Sequence, residues 1–155
     1  MSLSAEKAAR YTTSPIITER LFALPKSPIM SNFESVFNYD ADAASQEAFV
    51  AHIPSGLRNR NALFKALSEE LGFPDYFGNN WDALSECLRD LSWIHSHRVA
   101  IIHATLPALN KPDLLTYLKV LADCVQDWKP GEEHQLVVVF PQHCRDAIHD
   151  LESTF

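Results

Sequence analysis

Phe73-Pro-Asp-Tyr-Phe-Gly-Asn-Asn-Trp-Asp-Ala-Leu-Ser-Glu-Cys-Leu-Arg-Asp-Leu91 is the stretch on which the reading of this chain turns. Pro74 and Gly78 mark a tight loop. The loop leads into a helix over about residues 80–91, with Asn79 or Asn80 as its cap. At ~100° per residue the helix has two arcs. Trp81, Leu84, Cys87, Leu88 and Leu91 share the apolar one, while Asn79, Asp82, Ser85, Glu86, Arg89 and Asp90 lie opposite.

On the N-terminal side, Leu63, Phe64, Leu67 and Leu71 keep helical spacing up to a stop at Gly72 and Pro74. Before them Phe49-Val-Ala-His-Ile53 is a short apolar run closed by Pro54, with the length and composition of a strand. On the C-terminal side, Val99-Ala-Ile-Ile102 reads as a buried strand. Pro112 suits the first turn of a helix whose apolar face carries Leu114, Leu115, Leu118, Leu121, Val125 and Trp128. Leu136-Val-Val-Val-Phe140 is a third strand, ended by Pro141, and Cys144, Ala147, Ile148 and Leu151 suggest a final short helix. Continuous apolar strands separated by amphipathic helices indicate an α/β domain with a parallel sheet covered by helices.

Residues 1–45 have a different texture. Pro15, Pro25 and Pro28 stand among Ser and Thr, with short apolar pieces at Ile16-Ile17 and Leu21-Phe22. Phe33, Phe37 and Tyr39 fall on one side of an alternating stretch, which predicts a strand, and Ala41-Asp-Ala-Ala-Ser45 reads as a linker. This region is expected to be an N-terminal extension, partly ordered, ahead of a domain spanning residues 46–155.

At 155 residues the chain has the size of one domain, and burying roughly 70% of its unfolded surface gives it a core without staples. With 46% apolar and 21% charged residues it is not a disordered chain. Its longest apolar run falls far short of the ~20 residues that cross a bilayer, and no apolar leader opens it. Cys87, Cys124 and Cys144 cannot all pair with one another and lack Cys-x-x-Cys spacing, so reduced thiols in the cytoplasm are expected. Twenty acidic residues against 13 basic give a net charge of −7. That balance disfavours nucleic acid and anionic membranes as partners and favours cationic ones.

The excess negative charge is concentrated. Residues 68–90 hold Glu69, Glu70, Asp75, Asp82, Glu86 and Asp90 against Arg89 alone. Asp82, Glu86 and Asp90 stand four apart on one arc, an arrangement costing an isolated helix about 0.2–0.5 kcal/mol per pair. The helix N-terminus relieves Asp82, and Arg89 is placed to pair with Glu86. Two readings are open here: a solvated face of an acidic protein, or an anionic surface that docks a cationic, concave partner. Tyr76, Phe77 and Trp81 beside the carboxylates favour docking, since aromatics often anchor interfaces, although Trp81 fits the core equally well.

This stretch resembles barstar, the family of intracellular inhibitors of bacterial ribonucleases. The resemblance is carried by Pro74, Tyr76, Gly78, Asn80, Asp82-Ala-Leu84, Cys87 and Leu88, and the order of elements over about residues 46–140 agrees with it. It implies a barstar-like three-stranded parallel sheet flanked by helices in a single domain, and a role in plugging a ribonuclease active site with the second helix and its preceding loop. Tyr76, Gly78, Asn80 and Asp82 match family positions that meet the enzyme. Glu86 takes the place of the family's strongest acidic contact, an aspartate in the archetype, so the charge is kept one methylene further out. Ser85 replaces a large aromatic. A further carboxylate is expected on the third helix, with Asp123 a possible match.

The mechanism has a physical basis of its own. A ribonuclease cleft is lined with Arg, Lys and His to hold phosphates, and carboxylates fixed on a helix can occupy the phosphate positions through charge-assisted bonds. The expected partner-binding set is Tyr76, Phe77, Gly78, Asn80, Trp81, Asp82, Ser85 and Glu86, and the expected partner is a basic ribonuclease. No catalysis, metal, cofactor, small-molecule substrate, direct nucleic-acid contact or membrane is expected. His95-Ser-His97, His143 and His149 lack zinc-ligand spacing, and solvated histidines are the expectation. Cys144 and its neighbour His143 point apart on a helix, which disfavours a thiol nucleophile. A barstar-fold module binding a non-ribonuclease partner is the alternative, and an enzyme using Asp82 with Glu86 as an acid–base pair is a third reading.

Overall fold

The structure is a computed structural model that describes residues 33–153. The expectations for residues 1–32 lie outside them. In chain order the elements are α1 (Phe33–Val36), α2 (Ala41–Ala44), β1 (Ala48–Ile53), α3 (Arg60–Leu71), α4 (Trp81–Asp90), β2 (Arg98–His103), α5 (Lys111–Asp127), β3 (Gln135–Val139), a 3-10 turn (Gln142–Cys144) and α6 (Arg145–Glu152).

The three strands form one parallel sheet in the order β1-β2-β3, registered from Ala48↔Arg98 to Ile53↔His103 and from Arg98↔Gln135 to Ile102↔Val139. Parallel crossovers are almost always right-handed. When the strand order follows the chain order, that rule sends both crossovers to the same side. The packing agrees: Phe49, Ala51, Ile53, Val99, Ile101, Leu136 and Val138 share the main core with the buried faces of α1, α3, α4, α5 and α6. On the other face Ala48, Val50, Ala100, Ile102, Val137 and Val139 form a smaller cluster with Ala41 and Ala44 of α2. Among the described residues α2 packs on one face of the sheet and the other helices on the opposite face, so the sheet is flanked by helices as the sequence led one to expect.

The segment expected as a strand and a linker is instead two helical turns. Phe33 and Phe37 stack at 5.4 Å and are buried in the main core, with Phe37 edge-on to Phe140 at 5.2 Å. A spacing of four residues, read above as alternation, is also one helical turn, and the buried pair selects the helix. Asp40 caps α2 by accepting from the Ala43 amide. Between the two turns, Asn38 lies along β3: its amide donates to the Val138 carbonyl (2.8 Å), and its carbonyl accepts from the Phe140 amide (3.0 Å).

The helices that position the site are closed at both ends. Asn59 and Asn80 cap α3 and α4 through Ala62 and Ala83. Gly72 ends α3 at φ 66°, a left-handed conformation that costs glycine nothing. Two indoles then satisfy carbonyls that the helix ends leave open: Trp93 Nε1 donates to Leu71 O at 2.8 Å and Trp128 Nε1 to Leu88 O at 2.9 Å. Leu63, Phe64, Leu67 and Leu71 are buried along α3, each worth roughly 1.5–3 kcal/mol.

Two histidines break the expectation of solvated rings. His103 and His134 are buried. His103 Nδ1 donates to the Val139 carbonyl at 2.9 Å, which leaves Nε2 to accept from the Tyr117 hydroxyl at 2.6 Å, and its ring stacks on Phe140 at 4.1 Å. Burial pushes its pKa down to about 4 and pushes that of Tyr117 up. The three cysteines are free and buried.

Candidate docking surface on helix α4

Asn80 determines how the loop enters α4. Its Oδ1 accepts from the Ala83 amide at 2.8 Å and its Nδ2 donates to the Gly78 carbonyl at 3.2 Å, so one side chain both caps the helix and ties the loop to it. Gly78 leaves room for this closeness: a Cβ there would stand 3.3 Å from Asn80 Nδ2, a tight contact. Asn79, between them, takes a left-handed φ of 54°, which asparagine tolerates better than most residues. Asn80 is therefore the cap, and Asn79 is the turn.

Asp82 and Glu86 are exposed on α4, and neither makes an ion pair among the described residues. Tyr76 lies back along the same helix, 70% exposed, its hydroxyl donating to Asp90 Oδ2 at a long 3.4 Å. Partial desolvation, followed by the Asp90 charge, raises its pKa. Cys87, behind this face, has its thiol pushed up by burial and then by Asp90 and Glu86.

Not all of the expected set faces outward. Phe77 is 9% exposed, edge-on to Phe64 at 6.0 Å and tilted on Phe73 at 4.8 Å. Its ring belongs to the core, because the tight loop turns it under while Tyr76 is turned out. Trp81 is half-buried, 4.8 Å from Phe64 and 6.1 Å from Tyr117, so most of its surface packs α4 onto α3 and α5. Ser85 lies half-buried on the α5 side, its Oγ 3.9 Å from Cys124 Sγ.

Arg89 also departs from expectation. It turns away from Glu86 and bridges to α5: Nε donates to Asp127 Oδ2, and Nη1 donates to Ser85 Oγ. Burial pulls its pKa down, and the bond to Asp127 together with the charges of Asp127 and Asp123 leaves a net rise. On α5, Asp123 pairs with Lys119 at 3.6 Å and lies within the electrostatic reach of Arg89. The outer surface of α4 and α5 thus carries Asp82, Glu86, Asp90, Asp123 and Asp127. Asp127 escaped the sequence reading, although its i, i+4 spacing from Asp123 on an amphipathic helix was a signal for it. Among the described residues no three metal-ligating side chains converge, and no helix is long and apolar enough to cross a membrane.

A three-stranded parallel sheet flanked by helices, with a capped acidic helix entered by a glycine-asparagine loop, defines a class of small α/β protein. The sequence profile of the family described as Barstar (barnase inhibitor) matches residues 48–147. The chain belongs to the barstar family. A search of curated proteins found no match to it.

Proposed function

We propose that this chain inhibits a basic ribonuclease in the cytoplasm by seating residues 74–80 and α4 over the enzyme's active site. The observation that carries this reading is the pair Asp82 and Glu86: exposed, without an ion-pair partner among the described residues, and fixed on a helix capped at one end and clamped by Trp128 at the other. Carboxylates left unpaired in an acidic surface repel one another, and a cationic cleft removes that cost on binding. Tyr76 is the exposed aromatic beside them, suited to anchor the contact. Gly78 and Asn80 act by shaping the loop, Phe77 and Trp81 by supporting it from beneath, and Ser85 by leaving a shallow seam against α5. Membership of the family supports the reading, since its description is that of a barnase inhibitor.

The test is titration of RNA cleavage by a panel of small basic microbial ribonucleases, with inhibition expected to be complete at one equivalent. Asp82→Ala and Glu86→Ala should each weaken the complex by roughly 2–5 kcal/mol, the scale for removing one partner of a buried charge pair. Both should leave folding stability within about 0.5 kcal/mol, as exposed substitutions do. Tight binding without inhibition would favour an interaction module, and unfolding of both variants would make these carboxylates structural.

A further inference from the structure

His97 and His134 stand opposite one another, one step before the Arg98↔Gln135 pair at which β2 and β3 begin. Strand alternation puts both on the side of Val99 and Leu136, which face the main core. Each ring is pinned by the other strand. His97 Nδ1 donates to the Glu133 carbonyl at 3.0 Å, and His134 Nδ1 donates to the Ser96 carbonyl at 2.9 Å. An imidazole that donates from Nδ1 has Nε2 left over, an acceptor when the ring is neutral and a donor when it is cationic. His97 is exposed, whereas His134 is 2% exposed and its Nε2 is buried with no hydrogen-bond partner among the described residues. An orphaned buried nitrogen is costly, and a ligand that reaches it removes the cost.

Both rings line one cavity of about 260 Å³, together with Trp128, Lys129, Gln135 and the turn at Pro130 and Gly131. With Nδ1 turned to Ser96, Nε2 is the polar atom that the His134 ring has left for it. The chain carries a net charge of −7, yet among the described residues no carboxylate lines this cavity. The acidic side chains that flank it in sequence are engaged elsewhere: Asp127 bridges to Arg89, and Glu132 accepts from the Lys129 amide at 2.5 Å. Lys129 gives one N–H of its ammonium to the Gln126 carbonyl at 2.8 Å and keeps two. Trp128 stands perpendicular to the His134 ring at 5.3 Å, an apolar wall beside which ionic contacts gain strength. A metal ion would want more ligands than two imidazoles, and Lys129 would repel it. We propose that this cavity binds an oxyanion of phosphate size, held by Nε2–H of His97 and of His134 and by the Lys129 ammonium. Each ring that engages the anion takes up one proton at Nε2, from solvent or from the anion's own hydroxyl. Free phosphate and the phosphate group of a nucleotide share this chemistry. The site is separate from the carboxylates of α4 and does not depend on the inhibitor reading.

The full-length protein, isotopically labelled in its histidine rings, is titrated at neutral pH with inorganic phosphate, with a nucleoside monophosphate, and with chloride at matched ionic strength. Inorganic phosphate should move the Nε2 resonances of His97 and His134 saturably towards the protonated position, while chloride leaves them in place. His97→Ala and Lys129→Ala, both at exposed positions, should each weaken binding about tenfold, the scale of one charge-assisted bond. Saturation by the nucleotide assigns the site to phosphate esters, and saturation by phosphate alone assigns it to the free ion. Resonances that respond to neither anion beyond the chloride control overturn the proposal, as does a phosphate affinity unchanged in both variants.

Discussion

Asn80 uses both ends of its amide inside its own chain, one to cap α4 and one to hold the loop. Asn80→Ala should lower stability by about 1 kcal/mol, the usual loss of an N-cap. In urea this appears as a lower midpoint at unchanged slope, and an unchanged midpoint would show that the cap carries no weight. Leu91 shows two residue-scale effects in conflict. It closes α4 at φ 50°, where a non-glycine residue is strained by about 1–2 kcal/mol, yet it is fully buried. Burying a leucine is worth about 1.5–3 kcal/mol, so the core decides and a leucine stands where a glycine would be easier on the backbone.

Among the elements, α5 touches both the site and the sheet: Tyr117 meets Trp81 at one point and His103 at another. His103 has a folded pKa of about 4 against 6.5 for the free side chain, so between those values the unfolded chain binds more protons. Its neutral form stabilises the fold fully above about pH 6.5, and that contribution is lost as pH falls towards 4, up to about 3 kcal/mol in all. Urea unfolding from pH 7 to pH 4 should therefore show a slope that His103→Gln removes; equal slopes for both proteins would assign the acid sensitivity elsewhere. Strands, helices and the capped start of α4 were legible in the sequence because each is a local pattern: an apolar run, a 3.6-residue period, an asparagine before a helix. Phe33 and Phe37 were misread because a spacing of four fits both a strand and a helical turn, and only their contact with Phe140 decides. His103 was hidden for a similar reason, as its partners Val139 and Tyr117 are brought to it by the sheet and by α5. At the site the carboxylate arc was readable, whereas the inward turn of Phe77 and the reach of Arg89 to Asp127 depend on packing between elements.

For the molecule as a whole, the net charge of −7 and the clustering of carboxylates on α4 and α5 bear on how the proposed cationic partner would be met. The association rate with the cognate ribonuclease should fall steeply as salt rises, because screening shortens the reach of the attraction to about 8 Å at physiological ionic strength. Stopped-flow rates that do not change between low and high salt would remove electrostatic steering from the account. The same fold joins distant parts of the chain. The Phe33 amide donates to the Glu152 carboxylate at 2.6 Å, Arg145 pairs with Glu34, and Asn38 borders β3. A ribosome releases Phe33 more than a hundred residues before it releases Glu152. Throughout that interval the aromatic pair Phe33 and Phe37 has no finished surface to rest on, so the nascent polypeptide carries an exposed greasy patch until nearly the whole domain has left the exit tunnel.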